Sequence, residues 1–208
     1  MSRRGRVAAV LLAAGESARL GRPKQLLPFR ERTLLRHAAE TALASSCEQV
    51  YVVLGAACER TRPQLEDLPV QVVLNPDWRE GMGASIRCGI RAAMQEASCL
   101  DGAMLLLADQ PLVTPEHLAQ MVSLFRHSQA PIVAAYYDGR PGAPVLFGEA
   151  LFSQLLTLEG GQGARRLVAS RQNDTLLFDL PEAAFDVDVE ADHRALLGRR
   201  LSGMPGRP

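Results

Sequence analysis

Val7-Ala-Ala-Val-Leu-Leu-Ala13-Ala14-Gly15-Glu-Ser17-Ala-Arg19-Leu-Gly21-Arg-Pro23-Lys24-Gln-Leu26 opens on an apolar run and breaks at a glycine into a loop that carries cations. An apolar run without polar alternation is what a strand buried on both faces needs, so Val7 to Ala13 reads as the first strand of a parallel sheet. Arg3, Arg4 and Arg6 in front of it give the stretch the outline of a secretory leader. That reading is rejected, because the residues after the run make chemical sense only if the strand is retained. The run, Val7 to Ala14, is also too short to span a bilayer.

Working outward, apolar β-branched segments alternate with helical patterns, which implies a mostly parallel α/β sheet. Helices are expected at Thr33 to Ala44, Ala56 to Leu65, Gly83 to Gln95 and Thr114 to Arg126. Thr114, Pro115 and Glu116 supply the cap, first-turn proline and first-turn acid of the last of these. Strands are expected at Val50 to Leu54, Val70 to Leu74 and Ala103 to Ala108. Beyond residue 130 the spacing shortens. Ile132 to Tyr136 and Ala143 to Phe147 read as two strands joined through Asp138 to Gly142, a small antiparallel element or lid. Short helices near 149 to 157 and 162 to 170, strands at Thr175 to Leu180 and Ala184 to Val187, and a helix from Glu190 to Leu197 complete the pattern. The expected organisation is one domain over 1–198 with a frayed tail over 199–208.

The chain has 208 residues, 23 Lys plus Arg against 23 Asp plus Glu, and 47% hydrophobic residues, enough for a core without staples. Zero net charge argues against a nucleic-acid partner or an anionic membrane surface, so an anionic ligand must be met by a few placed groups. Cys47, Cys58, Cys88 and Cys99 form no CxxC pair and the histidines are scattered, which excludes the usual Cys/His zinc pattern and reads as reduced thiols of a cytoplasmic protein.

The loop after the first strand is suited to phosphate. Gly15 lets backbone amides approach a ligand, Ser17 offers a hydroxyl, and Arg19 and Lys24 bring positive charge. It is neither a Walker A loop nor a GxGxxG fingerprint. A buried strand delivers Asp109 at its carboxyl end in Leu107-Ala108-Asp109-Gln110-Pro111, where an open α/β sheet binds ligands and a carboxylate can hold Mg²⁺ against phosphate oxygens. Gly81 and Gly83 permit an irregular turn at a helix start, whose amides and Ser85 can contact a base or ribose. Trp78 reads as packing rather than stacking.

The first loop, LAAGxSxRxGxPKxL, resembles the signature of the MobA/MocA-like nucleotidyltransferases, closest to the molybdenum cofactor cytidylyltransferase branch. Asn75 to Gly89 is similar to that branch's NPxWxxGMxxSLRxG stretch, Leu107 to Thr114 to its LADQPLVT motif, Gly142 to Phe147 to GxPVLF and Gly163 to Arg165 to GAR. Phe185 to Asp192 resembles its DIDTPEDY ending, with Val189 and Glu190 where Thr and Pro are usual. Gly161 stands where an aspartate is usual.

The resemblance implies a three-layer α/β/α Rossmann-like nucleotidyltransferase fold and an Mg²⁺-dependent transfer of CMP from CTP to a molybdopterin-type acceptor, with a molybdenum hydroxylase as a further partner. It implies nucleotide binding by Leu12, Ala13, Ala14, Gly15, Lys24, Gly81 and Ser85, metal carboxylates at Asp109 and Asp188, and charge stabilisation by Arg19 and Lys24. CTP is implied because guanylyl-transferring relatives usually carry a second glycine where this chain has Ala14. A sugar-phosphate acceptor, or a non-catalytic module that delivers the cofactor, are the competing functions. An NAD-dependent enzyme would share the α/β alternation but needs a glycine fingerprint that is absent.

Overall fold

In the computed structural model, which describes residues 5–96 and 99–202, β1 (Val7–Ala13) is covered on both faces, as its unbroken apolar run demands. Val7, Ala9, Leu11 and Ala13 enter one buried cluster, and Ala8 and Val10 enter another. The chain continues through β2 (Pro28–Phe29), β3 (Arg32–Thr33), α1 (Leu34–Leu43), β4 (Gln49–Leu54), α2 (Cys58–Thr61), β5 (Gln71–Leu74), α3 (Met82–Glu96), β6 (Gly102–Leu107) and α4 (Pro115–His127). It then forms β7 (Ile132–Tyr137), β8 (Arg140–Gly148), α5 (Phe152–Leu155), α6 (Arg165–Ser170), β9 (Thr175–Asp179) and α7 (Glu190–Ser202).

The main sheet has 7 strands in the order β5-β4-β1-β6-β8-β7-β9. β5, β4, β1 and β6 are mutually parallel, β8 runs antiparallel between β6 and β7, and β9 is parallel to β7. Leu35, Ala39 and Ala42 of α1 and Leu118, Met121 and Val122 of α4 cover one face. Ile86, Ile90 and Ala93 of α3, with Phe152, Leu155, Leu167 and Val168 of α5 and α6, cover the other. This is the three-layer α/β/α arrangement. Cys47, Cys58 and Cys88 are free thiols, and among the described residues no helix is long and apolar enough to cross a membrane.

Local chemistry explains several element ends. Thr33 caps α1 by accepting from the Arg36 N–H, and Thr114 caps α4 by accepting from the His117 N–H while His117 Nδ1 accepts from the Thr114 N–H. The expected helix over Ala56 to Leu65 is instead α2 followed by a 3-10 turn over Arg62–Leu65, because Pro63 has no N–H to continue an α ladder. The turn expected over Asp138 to Gly142 contracts to Asp138-Gly139, with φ of 49° and 74°, the pattern of a tight primed hairpin turn. The chain after β9 forms a 3-10 turn at Pro181–Ala184, so the strand expected at Ala184 to Val187 is absent. That segment passes over the carboxyl edge of the sheet, where the Val187 N–H donates to the Asp109 carbonyl at 3.0 Å. The closing helix runs on to Ser202, into the expected tail, whose remainder, 203–208, lies outside the described residues.

Candidate active site

β1 and β6 are neighbours, so the residues that follow them meet at the carboxyl edge of the sheet, where its topology opens a crevice. The loop after β1 is folded upon its own polar groups. Ser17 lies in the left-handed region (φ 60°), where its Oγ accepts from the Lys24 N–H at 3.0 Å and donates to Gln25 Oε1 at 3.4 Å. Buried Gln25 donates to the Ala13 and Gly15 carbonyls at 3.0 and 2.8 Å. The Ser17 hydroxyl, expected to serve a ligand, holds the loop instead. A Cβ on Gly15 would meet no protein atom within 4 Å, so the loop backbone lies open to whatever fills the crevice.

Lys24 projects from this loop between two carboxylates. Its Nζ makes a short hydrogen bond to Asp109 Oδ2 and a second, of 2.8 Å, to Asp188 Oδ1. Arg19 donates to the other Asp188 oxygen at 3.0 Å from a side chain that is 75% exposed. Burial lowers the Lys24 pKa, but the charge and hydrogen bond of Asp109 and those of Asp188 outweigh it, and the ammonium is raised above its ordinary value. The hydrogen bond from Lys24 holds Asp188 below the usual carboxylate range.

Asp188 is well placed although Val189 and Glu190 depart from the resembled pattern. The Asp192 carboxylate accepts from the N–H groups of Asp188 and Val189, both at 2.9 Å, and so fixes the turn into α7.

Asp109 Oδ1 is buried without a hydrogen-bond partner. A buried carboxylate oxygen with no donor is costly unless a cation completes it. Among the described residues no three His, Cys, Asp or Glu side chains are grouped to hold an ion unaided. Asp109 and Asp188 therefore suit a hard cation that takes the rest of its shell from phosphate and water, as Mg²⁺ does.

Two cavities adjoin this charged centre. One, of about 220 Å³, is lined by Leu12, Ala13, Ala14, Gly15, Lys24, Gly81, Ser85 and Asp109, so eight residues expected from the sequence converge. Gln25, Trp78 and Met82 also line it and were not expected to. Trp78 both packs against the core and faces this cavity, with the Arg79 guanidinium 4.3 Å over its ring. Arg19 and Asp188 stand outside the lining, joined to it through Lys24. The second cavity, about 420 Å³, shares Leu12, Met82 and Leu107 with the first and is mainly apolar, with Arg165, Tyr137 and Asp186 as its polar groups. Burial, then the charges of Asp109 and Asp188, push the Asp186 carboxyl up to about 6. Gly161 opens into this second cavity, and a Cβ there would meet no protein atom within 4 Å.

Glycines pack the start of α3 against residues 159–162. The Gly83 N–H donates to the Gly160 carbonyl at 2.8 Å, and a Cβ on Gly83 would overlap the Glu159 carbonyl and lie 2.7 Å from that of Gln162. Gly83→Ala gains up to ~1 kcal/mol of helix propensity. The backbone overlap costs about 1–3 kcal/mol and more where nothing can yield, so it wins. A thermal melt should show Tm lower by about 2–8 °C; an unchanged or higher Tm would mean this seam is not rigid.

The comparisons with known proteins agree with this geometry. The model of the MobA-like NTP transferase domain matches residues 9–175. The chain is 34% identical to nicotine blue oxidoreductase of Paenarthrobacter nicotinovorans, over 88% of this chain and 92% of that protein. It is 23% identical to the molybdenum cofactor cytidylyltransferase of Escherichia coli (88% and 91% covered) and 28% identical to a probable molybdenum cofactor guanylyltransferase of Mycobacterium avium (93% and 96%). Among solved structures, Rv0371c of Mycobacterium tuberculosis superposes with a TM-score of 0.81 at 31% identity, over 93% of this chain and 98% of that one. A manganese complex of Rv0371c superposes at 0.75.

Proposed function

The chain belongs to the MobA-like NTP transferase family, and from that premise we propose that it transfers CMP from CTP to the phosphate of a molybdopterin-type acceptor, releasing pyrophosphate. The observation that carries this reading is the Lys24 ammonium held between Asp109 and Asp188 at the mouth of the smaller cavity, with Asp109 Oδ1 left unpartnered. Pure binding would not call for two carboxylates beside a phosphate-directed lysine, which argues against a delivery module. Mg²⁺ held by Asp109 and Asp188 would draw charge from the phosphates and orient them.

The chain's own groups do the rest. Backbone at Gly15 lies against the triphosphate, and Lys24 turns from the carboxylates to the α-phosphate as negative charge enters the site. Arg19, exposed at the rim, meets the departing pyrophosphate. An acceptor phosphate oxygen forms a bond to the α-phosphorus while the bond to the β-phosphate bridging oxygen breaks and pyrophosphate leaves. A phosphomonoester is already ionised, so no general base is required, and catalysis is positioning plus electrostatics. The adjoining apolar cavity, with Arg165 at its wall, is where the acceptor lies. A sugar phosphate suits that apolar lining less well.

The nucleotide preference rests on Ala14, which is buried beside Trp78 and lines the cavity. A Cβ on Gly55 would stand 2.9 Å from the Ala14 Cβ and 2.6 Å from the Trp78 Cβ, so this corner has no slack. An overfilled pocket costs a larger base about 1–3 kcal/mol, or roughly 10- to 100-fold. CTP is expected to exceed GTP in kcat/KM by at least about tenfold, and Ala14→Gly to narrow the gap. A native preference for GTP would overturn the cytidylyl assignment.

One observation favours a second reading: the 34% identical relative is named an oxidoreductase. On that reading the apolar cavity takes a flat redox-active ring. A two-electron change in such a ring on turnover, without pyrophosphate release, would establish it.

A further inference from the structure

Asn75, directly after β5, is 3% exposed, and both ends of its amide are committed. Its Oδ1 accepts from the Asp77 N–H at 3.0 Å, and its Nδ2 donates to Ser85 Oγ at 3.1 Å. A backbone N–H can only donate, so the Asp77 contact fixes which end of the amide is oxygen and leaves the nitrogen facing Ser85. Ser85 Oγ thus already accepts. Among the described residues no hydrogen bond uses its own proton, and Ser85 lines the smaller cavity. A hydroxyl has one proton and two lone pairs, so with one lone pair taken by Asn75 the proton stays available to a ligand.

Topology places this pair at the base end of the nucleotide. Asp109 follows β6, the Gly15 loop follows β1, Gly55 follows β4 and Asn75 follows β5, and these strands are successive neighbours in the sheet. Three strand spacings of about 4.8 Å separate β6 from β5, about 14 Å, the reach of an extended nucleoside triphosphate. With phosphates and metal carboxylates at the β6 and β1 end, the base falls against Trp78 and Ser85.

We infer that Asn75 is a positioning residue for base choice: by donating to Ser85 Oγ rather than accepting from it, Asn75 leaves the Ser85 proton free for the N3 acceptor of cytosine, a bond that the N3–H of uracil cannot take up. This rests on the proposal that a pyrimidine triphosphate fills the smaller cavity, and it adds what tells one pyrimidine from the other. An Asn75 that merely supported the turn would affect all triphosphates alike.

The test inverts the polarity of the contact. In Asn75→Asp the carboxylate keeps the bond from the Asp77 N–H but has no proton for Ser85, whose hydroxyl then turns to donate to it and shows lone pairs to the base. Affinities for CTP and UTP with Mg²⁺ would be measured by calorimetry on the full chain, native and with Asn75→Asp, Asn75→Ala, Ser85→Ala, and Asn75→Asp combined with Ser85→Ala. The added negative charge weakens both nucleotides, so the CTP-to-UTP ratio is the readout.

The ratio should favour CTP in the native chain, fall at least tenfold in Asn75→Asp and several-fold in Asn75→Ala, and not change with Asn75→Asp once Ser85 is alanine. A ratio unmoved by Asn75→Asp, or moved equally without the Ser85 hydroxyl, overturns the inference while leaving triphosphate binding intact. If Asn75→Asp does not fold, Ser85→Ala alone decides, since an unchanged ratio there is equally fatal. Failure of the native chain to bind either nucleotide would refute the proposed function, and the inference with it.

Discussion

Asp109→Asn should lower nucleotidyl transfer by at least about 10³-fold while the chain stays folded. The substitution keeps shape and one acceptor oxygen but removes the charge that a divalent cation needs, an effect worth several kcal/mol, and about 4 kcal/mol corresponds to three decades in rate. Stability is expected to change little. Lys24 keeps its 2.8 Å bond to Asp188, and the oxygen left without a donor in the native chain loses nothing. We expect a loss of no more than about 1 kcal/mol without metal. Single-turnover rates and a thermal melt check both parts, and turnover at the native rate would remove Asp109 from the metal site.

Lys24→Ala should lower the rate by about 10- to 100-fold, as expected for loss of a charge-assisted phosphate contact worth about 1.5–3 kcal/mol. Arg19→Ala, acting from a side chain that is 75% exposed, should fall at the lower end of that range. Affinity for every triphosphate should drop together, because the lost contact is to phosphate and not to base. A second effect has the opposite sign. In the ligand-free protein the Lys24 ammonium occupies the carboxylate oxygens that a metal would use, at side-chain exposures of 21% for Lys24 and 15% for Asp109. Removing it should tighten Mg²⁺ binding in the absence of nucleotide, and Mg²⁺ should raise the Tm of Lys24→Ala more than that of the native chain. Metal binding unchanged or weaker in Lys24→Ala, with all triphosphates bound as before, would show that Lys24 serves neither phosphate nor the carboxylate pair.

The parallel half of the fold was legible because its central strands β1, β4 and β6 are largely apolar runs and because α1 and α4 begin at capping threonines. β1 and its loop came directly from the run ending at Gly15. The short hairpin of β2 and β3 was invisible, since its turn uses Arg30 and Glu31 at φ of 47° and 62° with no glycine to signal it. The segment from Ala184 to Val187 was read as a strand. Its alternation has another meaning: residues two apart share a face of an extended chain, so Asp186 and Asp188 both turn toward the charged centre. That spacing could have marked Asp186, which the sequence reading passed over.

Gln25 and Asn75 were equally silent. A buried amide is assigned a role only by its hydrogen-bond partners, and those that matter here, the Ala13 and Gly15 carbonyls for Gln25 and Ser85 for Asn75, carry no sequence signal that pairs them. Ser17 was misjudged for the same reason, its hydroxyl being consumed inside the loop.

The central claim is tested most directly by product analysis. The full chain would be incubated with Mg²⁺, CTP labelled at the α-phosphate, and a molybdopterin-loaded acceptor, and both the dinucleotide and pyrophosphate would be measured. The proposed function predicts that the label moves into the dinucleotide with one pyrophosphate released per product, and that GTP in place of CTP gives at least about tenfold less. Absence of labelled product and of pyrophosphate with each of the four nucleoside triphosphates would contradict it.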